Sequence, residues 1–275
     1  MVSDGRSTPY PLRSRLARHL RLLRDESGLT IGAVGRRLGC SGSKVSRIET
    51  GQCGITVEDA ERLLDIYKVT GPRRDWMLTL AMVGEQRAVW GAYRHFEAAA
   101  KTVLNYEPIV VPGILQHPEY ALALMRAEMP DSSPAHTTEL MTSRMSRQVL
   151  LTKDGGPDFH LLLDETVLHR PVGDERVMRA QLRRLLELAE LPSVTLRVIP
   201  FDAVGHPARQ GSFAVMRFPD DLDPGIVALE HRLTTLYLDE PADVEAYREV
   251  FRRLNQIALD PDATAKLVAR LATGR

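Results

Sequence analysis

The sequence predicts a mainly α N-terminal head of five helices containing a helix-turn-helix, followed by an α+β C-terminal domain with a mostly antiparallel sheet. Three observations predict it. In the first third of the chain, leucines recur at helical spacing, and two short helical stretches flank Gly39. Beyond residue 90, short β-type runs bounded by turn residues mix with helical ones. The charge also divides the chain. Residues 1–53 hold ten Lys and Arg against four acids, a charge of +6, and because the 275 residues are neutral overall the remainder carries −6. At roughly 150 residues per domain, that length suggests two domains.

Hydrophobic residues at 44% and charged residues at 26% match an ordinary folded chain and exclude a disordered or collagen-like one. The longest apolar stretches, such as Ile109-Val110-Val111, fall far short of the roughly 20 residues a membrane helix needs, so no membrane is expected. Residues 1–6 contain no apolar signal core, so no export is expected. Cys40 and Cys53 have no His-rich neighbourhood and fit neither a disulfide framework nor a zinc site. The expectation is a cytoplasmic, reduced protein without metal or cofactor.

Residues 1–11 are expected to be a flexible N-terminus and 12–84 the head. Leu12, Leu16, Leu20 and Leu23 give the first helix a buried stripe, and Gly28 ends it as a left-handed cap. Thr30 is the N-cap of a second helix, with Val34 and Leu38 facing inward. Gly39 supplies the tight turn. Ser41 caps a third helix, about residues 42–50, whose inward positions are Val45 and Ile48; Gly51 closes it. Two short helices around a glycine form the helix-turn-helix. Thr56 caps a fourth helix with Asp59 as its capping-box partner, and Leu63, Leu64 and Ile66 form its apolar face. Pro72 opens a fifth, continued by Trp76, Met77, Leu80 and Val83.

Leu29-Thr30, Leu38-Gly39 and the run Ser41-x-Ser43-Lys44-Val45-Ser46-Arg47-Ile48-Glu49-x-Gly51 resemble the Cro/XRE family of helix-turn-helix DNA-binding domains over about residues 12–80. Gly32 and Gly35 depart from the family pattern, which usually has Gln or Glu and Ala there. With Val45 and Ile48 inward, Gly42, Ser43, Lys44 and Arg47 point outward, and the resemblance implies that these positions reach base edges. Lys and Arg suit the acceptors of guanine, whereas Gly42 only lets the backbone approach. Thr30 and Ser41 begin helices whose free N–H groups favour a phosphate. Arg13 and Arg15 are further phosphate candidates. The resemblance implies that Arg24 pairs with Glu49 as a structural ion pair. Arg36 and Arg37 read as a solvated face, and Cys40 as a small buried hydrophobe.

Residues 85–275 are expected to form the second domain. Helical periodicity runs over 92–104, and 109–115 is an extended apolar piece broken by a Pro-Gly turn. Helices are expected over 118–128, 137–151, 175–190, 242–259 and 262–271, and strands over 159–163, 194–199, 212–218, 226–229 and 235–238. Tyr106-Glu107-Pro108, Val111-Pro112-Gly113-Ile114-Leu115-Gln116, Leu163-Asp164-Glu165 and Gly205-His206-Pro207 together resemble the domain of unknown function that follows such heads in actinobacterial, WhiJ-like regulators. That resemblance implies transcriptional control, comparison with antitoxins, and a small partner protein; it supplies no binding residues.

No catalytic machinery is expected. Asp164 and Glu165 are strand neighbours that point to opposite faces. The histidines lack ligand spacing, and there is no phosphate loop or nucleophile elbow. The favoured reading is a DNA-binding regulator, homodimeric on double-stranded DNA. Its C-terminal domain would sense a small-molecule effector or a protein partner. The alternative is an antitoxin-like protein that mainly holds a small partner. The irregular segments 111–115 and 205–211 are the candidate linings of a pocket, or simply structural turns.

Overall fold

The computed structural model describes residues 10–85, 92–207, 211–219, 223–231 and 234–274. The expected flexible segment 1–11 lies outside them except for Tyr10 and Pro11, which begin the first helix. The chain forms two compact units, and neither is contiguous in sequence. The first joins residues 1–100 to 216–244, and the second joins 101–215 to 245–275.

In the first unit the five head helices are α1 (Tyr10–Glu26), α2 (Ile31–Leu38), α3 (Gly42–Glu49), α4 (Val57–Ile66) and α5 (Gly71–Glu85). The apolar stripes meet as their spacing requires: Leu16, Leu20 and Leu23 of α1, Val34 and Leu38 of α2, Val45 and Ile48 of α3, and Leu63 and Leu64 of α4 are all buried. Helix α5 contributes Trp76, Met77 and Leu80. A sixth helix, α6 (Ala92–Ala99), belongs to the same unit. Its Phe96 meets Trp76 edge-on at 5.8 Å and Tyr237 at 5.3 Å, and Phe218 stacks on Trp76. Aromatic groups from the head and from residues 216–244 therefore share one core.

The sheet has six strands: β1 (Thr102–Glu107), β2 (Asp158–Asp164), β3 (Val194–Ile199), β4 (Phe213–Arg217), β5 (Ile226–His231) and β6 (Thr234–Leu238). Their order is β3-β2-β1-β4-β5-β6, and the sheet is mixed, mostly antiparallel. Strands β1, β2 and β3 are nevertheless parallel, Thr102 pairing with Asp158 and Phe159 with Val194. Strands β5 and β6 are antiparallel, Val227 pairing with Leu238.

In the second unit, α7 (Pro118–Glu128) and α8 (Pro134–Met145) lie in sequence between β1 and β2, and α9 (Thr166–His169) and α10 (Glu175–Ala189) between β2 and β3. Such helical crossovers are what parallel strands require. The chain ends with α11 (Pro241–Ile257) and α12 (Pro261–Thr273), and α12 packs on α10. Two expectations needed correction. The helix expected over 92–104 ends at Ala99, and Thr102-Val103 instead open β1, where β-branched residues suit a pleated, buried surface. The helix expected over 137–151 gives way after Met145 to a 3-10 turn at Ser146–Leu151.

Candidate nucleic-acid interface

Helices α2 and α3 are eight residues each and are capped as their sequences dictate. Thr30 Oγ1 accepts from Ala33 N at 3.2 Å, and Ser41 Oγ accepts from Lys44 N at 3.2 Å. Gly39 takes φ 76°, a left-handed conformation that costs glycine little. Gly35 has a different duty. A Cβ there would stand 2.9 Å from Cys40 O and 3.1 Å from Gly42 N, so only glycine lets α2 come this close to the turn. Cys40 itself is half-buried rather than fully buried, with Sγ 3.6 Å from Ser41 O.

With Val45 and Ile48 buried, Ser43 and Arg47 are exposed on the opposite side of α3. Lys44 is more constrained: its ammonium lies 2.7 Å from Asp59 Oδ2. That hydrogen bond raises the Lys44 pKa against the opposing effect of desolvation, so the ammonium stays charged but engaged. Asp59 N donates to Thr56 Oγ1 at 3.1 Å, so the N-cap of α4 forms while the Asp59 carboxylate turns to Lys44. Gly42 does not belong to the outward set. A Cβ on it would meet Ile31 Cγ2 at 3.4 Å, so its open side faces α2.

Helix α3 is held to α1 by Arg24. Its Nε donates to both Glu49 oxygens at 2.9 Å, and its Nη1 reaches Asp25 at 2.7 Å and Leu29 O at 3.2 Å. Desolvation works against the guanidinium charge, but Glu49 and then Asp25 outweigh it, and the pKa of Arg24 rises. Arg62 adds a contact that the sequence did not suggest, donating from Nη2 to Leu38 O at 2.8 Å at the end of α2. Arg36 and Arg37 are exposed.

Arg15 departs from expectation. A phosphate contact is expected of it, yet it is only 2% exposed. Its Nε donates to Asp223 Oδ2 at 3.0 Å, its Nη2 to Asp223 Oδ1, and its Nη1 to Gly225 O at 2.7 Å. The same carboxylate accepts from Trp76 Nε1 at 2.9 Å and from Gly225 N at 2.8 Å, and it faces His19 Nε2 at 3.2 Å. The guanidinium also lies 5.5 Å from the Trp76 ring centroid and 5.7 Å from that of Phe218. A buried charge needs a partner, and here the partner is 208 positions along the chain. Asp223, His19 and Trp76 thus form a buried polar centre that no local pattern announced. The side chains of Arg13, Leu12 and Val83 lie outside the described residues.

Of the two segments expected as pocket linings or structural turns, 111–115 is packed into the protein. Val111, Ile114 and Leu115 are buried, Val111 N donates to Tyr120 OH at 3.3 Å, and Gln181 Nε2 donates to Leu115 O at 2.9 Å. In segment 205–211, residues 208–210 lie outside the described residues.

A family model described as a helix-turn-helix domain matches residues 15–77. A second, described as a domain of unknown function (DUF5753), matches residues 90–270. The chain belongs to the DUF5753 family. Its N-terminal helix-turn-helix makes this family member a DNA-binding protein. No curated protein and no solved structure matches the chain. No helix among the described residues is long and apolar enough to cross a membrane.

Proposed function

We propose that this DUF5753 protein is a sequence-specific transcriptional regulator that places α3 in the major groove. The observation that carries this reading is the two-sided build of α3: Val45 and Ile48 anchor it inside, and Ser43 and Arg47 stand free on the other side. Arg47 suits the paired acceptors of guanine, with Lys44 beside it. The free N–H groups at the starts of α2 and α3, beside Thr30 and Ser41, suit phosphates.

One eight-residue helix spans only a few base pairs, so the working form is a homodimer on two half-sites about one helical turn apart. The C-terminal part acts by binding, not by catalysis. An effector there shifts DNA affinity only as far as it prefers one arrangement of the protein over another. The protein works in the cytoplasm, where its targets are.

Genomic fragments captured with the purified chain, alongside Arg47→Ala, test this. The expected result is an enriched two-fold-related motif that the variant loses. Arg47→Ala should weaken the specific site by about 1–3 kcal/mol and relax base preference. Equal losses on specific and random DNA would remove Arg47 from the base-reading set. A small protein co-purifying in stoichiometric amount would favour the antitoxin-like alternative.

A further inference from the structure

The parallel half of the sheet brings together chemistry that DNA binding does not use. Because β1, β2 and β3 run the same way, their carboxyl ends share one edge: Tyr106 and Glu107 finish β1, Asp164 finishes β2 and Ile199 finishes β3. The order β3-β2-β1-β4 also puts β1 where the chain switches sides, and open sheets take ligands beyond the carboxyl ends at such a switch point.

Three segments far apart in sequence converge there. Tyr106 OH lies 3.0 Å from His206 Nε2, and that nitrogen lies 3.8 Å from Asp164 Oδ2. Burial, and then Asp164 and Glu107, push the Tyr106 phenol well above its ordinary range, so it keeps its proton. Asp164 Oδ1 accepts from Thr166 N at 2.9 Å, but Oδ2 has no hydrogen-bond donor among the described residues. Glu165 is not the strand neighbour that the sequence suggests: it takes a helical conformation at the start of α9, where its Oε2 accepts from Phe201 N at 2.9 Å and its Oε1 faces His169 Nε2 at 3.3 Å. Neither carboxylate has a Lys or Arg partner among the described residues.

Exposed apolar side chains also stand on the loops at this edge. Seven large apolar side chains are exposed among the described residues, and three of them, Ile109, Phe201 and Val204, stand on the loops that leave β1 and β3. Phe201 is 64% exposed, and its ring lies 5.3 Å from that of His169.

We propose that this strand edge binds a small organic cation, an amine on an aromatic or aliphatic body, with the ammonium on Asp164 and the body against Phe201. The sign of the charge follows from two carboxylates that no Lys or Arg among the described residues neutralises. The organic character follows from the apolar side chains on the loops that leave β1 and β3. An aromatic face also favours a cation over a neutral group of the same shape. The inference deepens the reading of the C-terminal part as a sensing half, and it rests on that reading.

The test uses the full chain with isotope-labelled histidine, the His206 resonance assigned through His206→Gln, and 2-phenylethylamine as the probe. The expected result is a saturable shift of the His206 signal with the amine and none with phenylacetate. Asp164→Asn keeps the Oδ1 acceptor for Thr166 N but removes the charge, and it should weaken the amine at least tenfold. Phe201→Ala should weaken it several-fold. Equal shifts with phenylacetate, an unmoved His206 at millimolar amine, or full affinity in Asp164→Asn would each overturn the proposal. DNA capture is read separately from this titration. A chain that enriches a motif yet ignores the amine sinks the ligand class alone, and a chain that binds the amine but enriches nothing sinks the regulator reading.

Discussion

At the level of single residues, the charge of a side chain said less about its role than the company it keeps. Arg13, Arg15, Arg24, Lys44 and Arg47 are all basic residues of one head, and the four described side chains have different surroundings: Arg15 is buried on Asp223, Arg24 pairs with Glu49, Lys44 with Asp59, and Arg47 is exposed. Arg15 is buried against Asp223, so Arg15→Ala leaves a carboxylate without its cation, a loss of about 3–5 kcal/mol. Unfolding followed by Trp76 fluorescence in a Trp90→Phe background should show that loss. The slope of DNA affinity against salt should stay as it was, because no phosphate contact is removed. A flattened slope with unchanged stability would return Arg15 to the DNA surface. Lys44 makes a different prediction. It must leave Asp59 to reach a base, so Lys44→Ala should weaken the specific site less than Arg47→Ala does. Equal losses in a binding titration would mean that Asp59 exerts no restraint.

At the level of elements, local patterns and their failures have separable causes. The caps at Thr30, Ser41 and Thr56 and the inward stripes of α1 to α4 are consequences of short-range chemistry, so they were legible. Strand β1 was not. The Ala-rich end of α6 reads as more helix, and Thr102–Glu107 turns extended beside β2, whose residues lie more than fifty positions on. Gly32 and Gly35 look alike in sequence, but their surroundings differ. Gly35→Ala sets a methyl 2.9 Å from the carbonyl of Cys40 and should cost about 1–3 kcal/mol while loosening the α2–α3 turn. Gly32→Ala meets only Arg36 Nη1 at 3.9 Å and should stabilise the helix by up to about 1 kcal/mol. Thermal midpoints of the two variants, moving in opposite directions, check the pair.

At the level of the whole molecule, the DNA-binding unit is discontinuous. Residues 216–244 fold with the head, supplying Asp223 to Arg15 and both Phe218 and Tyr237 to the aromatic core. A fragment of residues 1–100 should therefore be markedly less stable than the same residues in the full chain, with Trp76 more exposed. Equal protection of the α1 amides from hydrogen exchange in fragment and full chain would contradict this. The sequence by itself determined the helix-turn-helix, its caps, its inward stripes and the outward place of Ser43 and Arg47. Each of these depends on residues within a few positions of one another, and helix geometry turns such spacing directly into direction. The tertiary structure alone decided that Arg15 is a core residue, that β1 exists and runs parallel to β2, and that Tyr106, Asp164 and His206 meet. Those facts depend on partners tens to hundreds of residues away, and nothing in the spacing of nearby residues records which distant segment will satisfy a buried charge or extend a sheet.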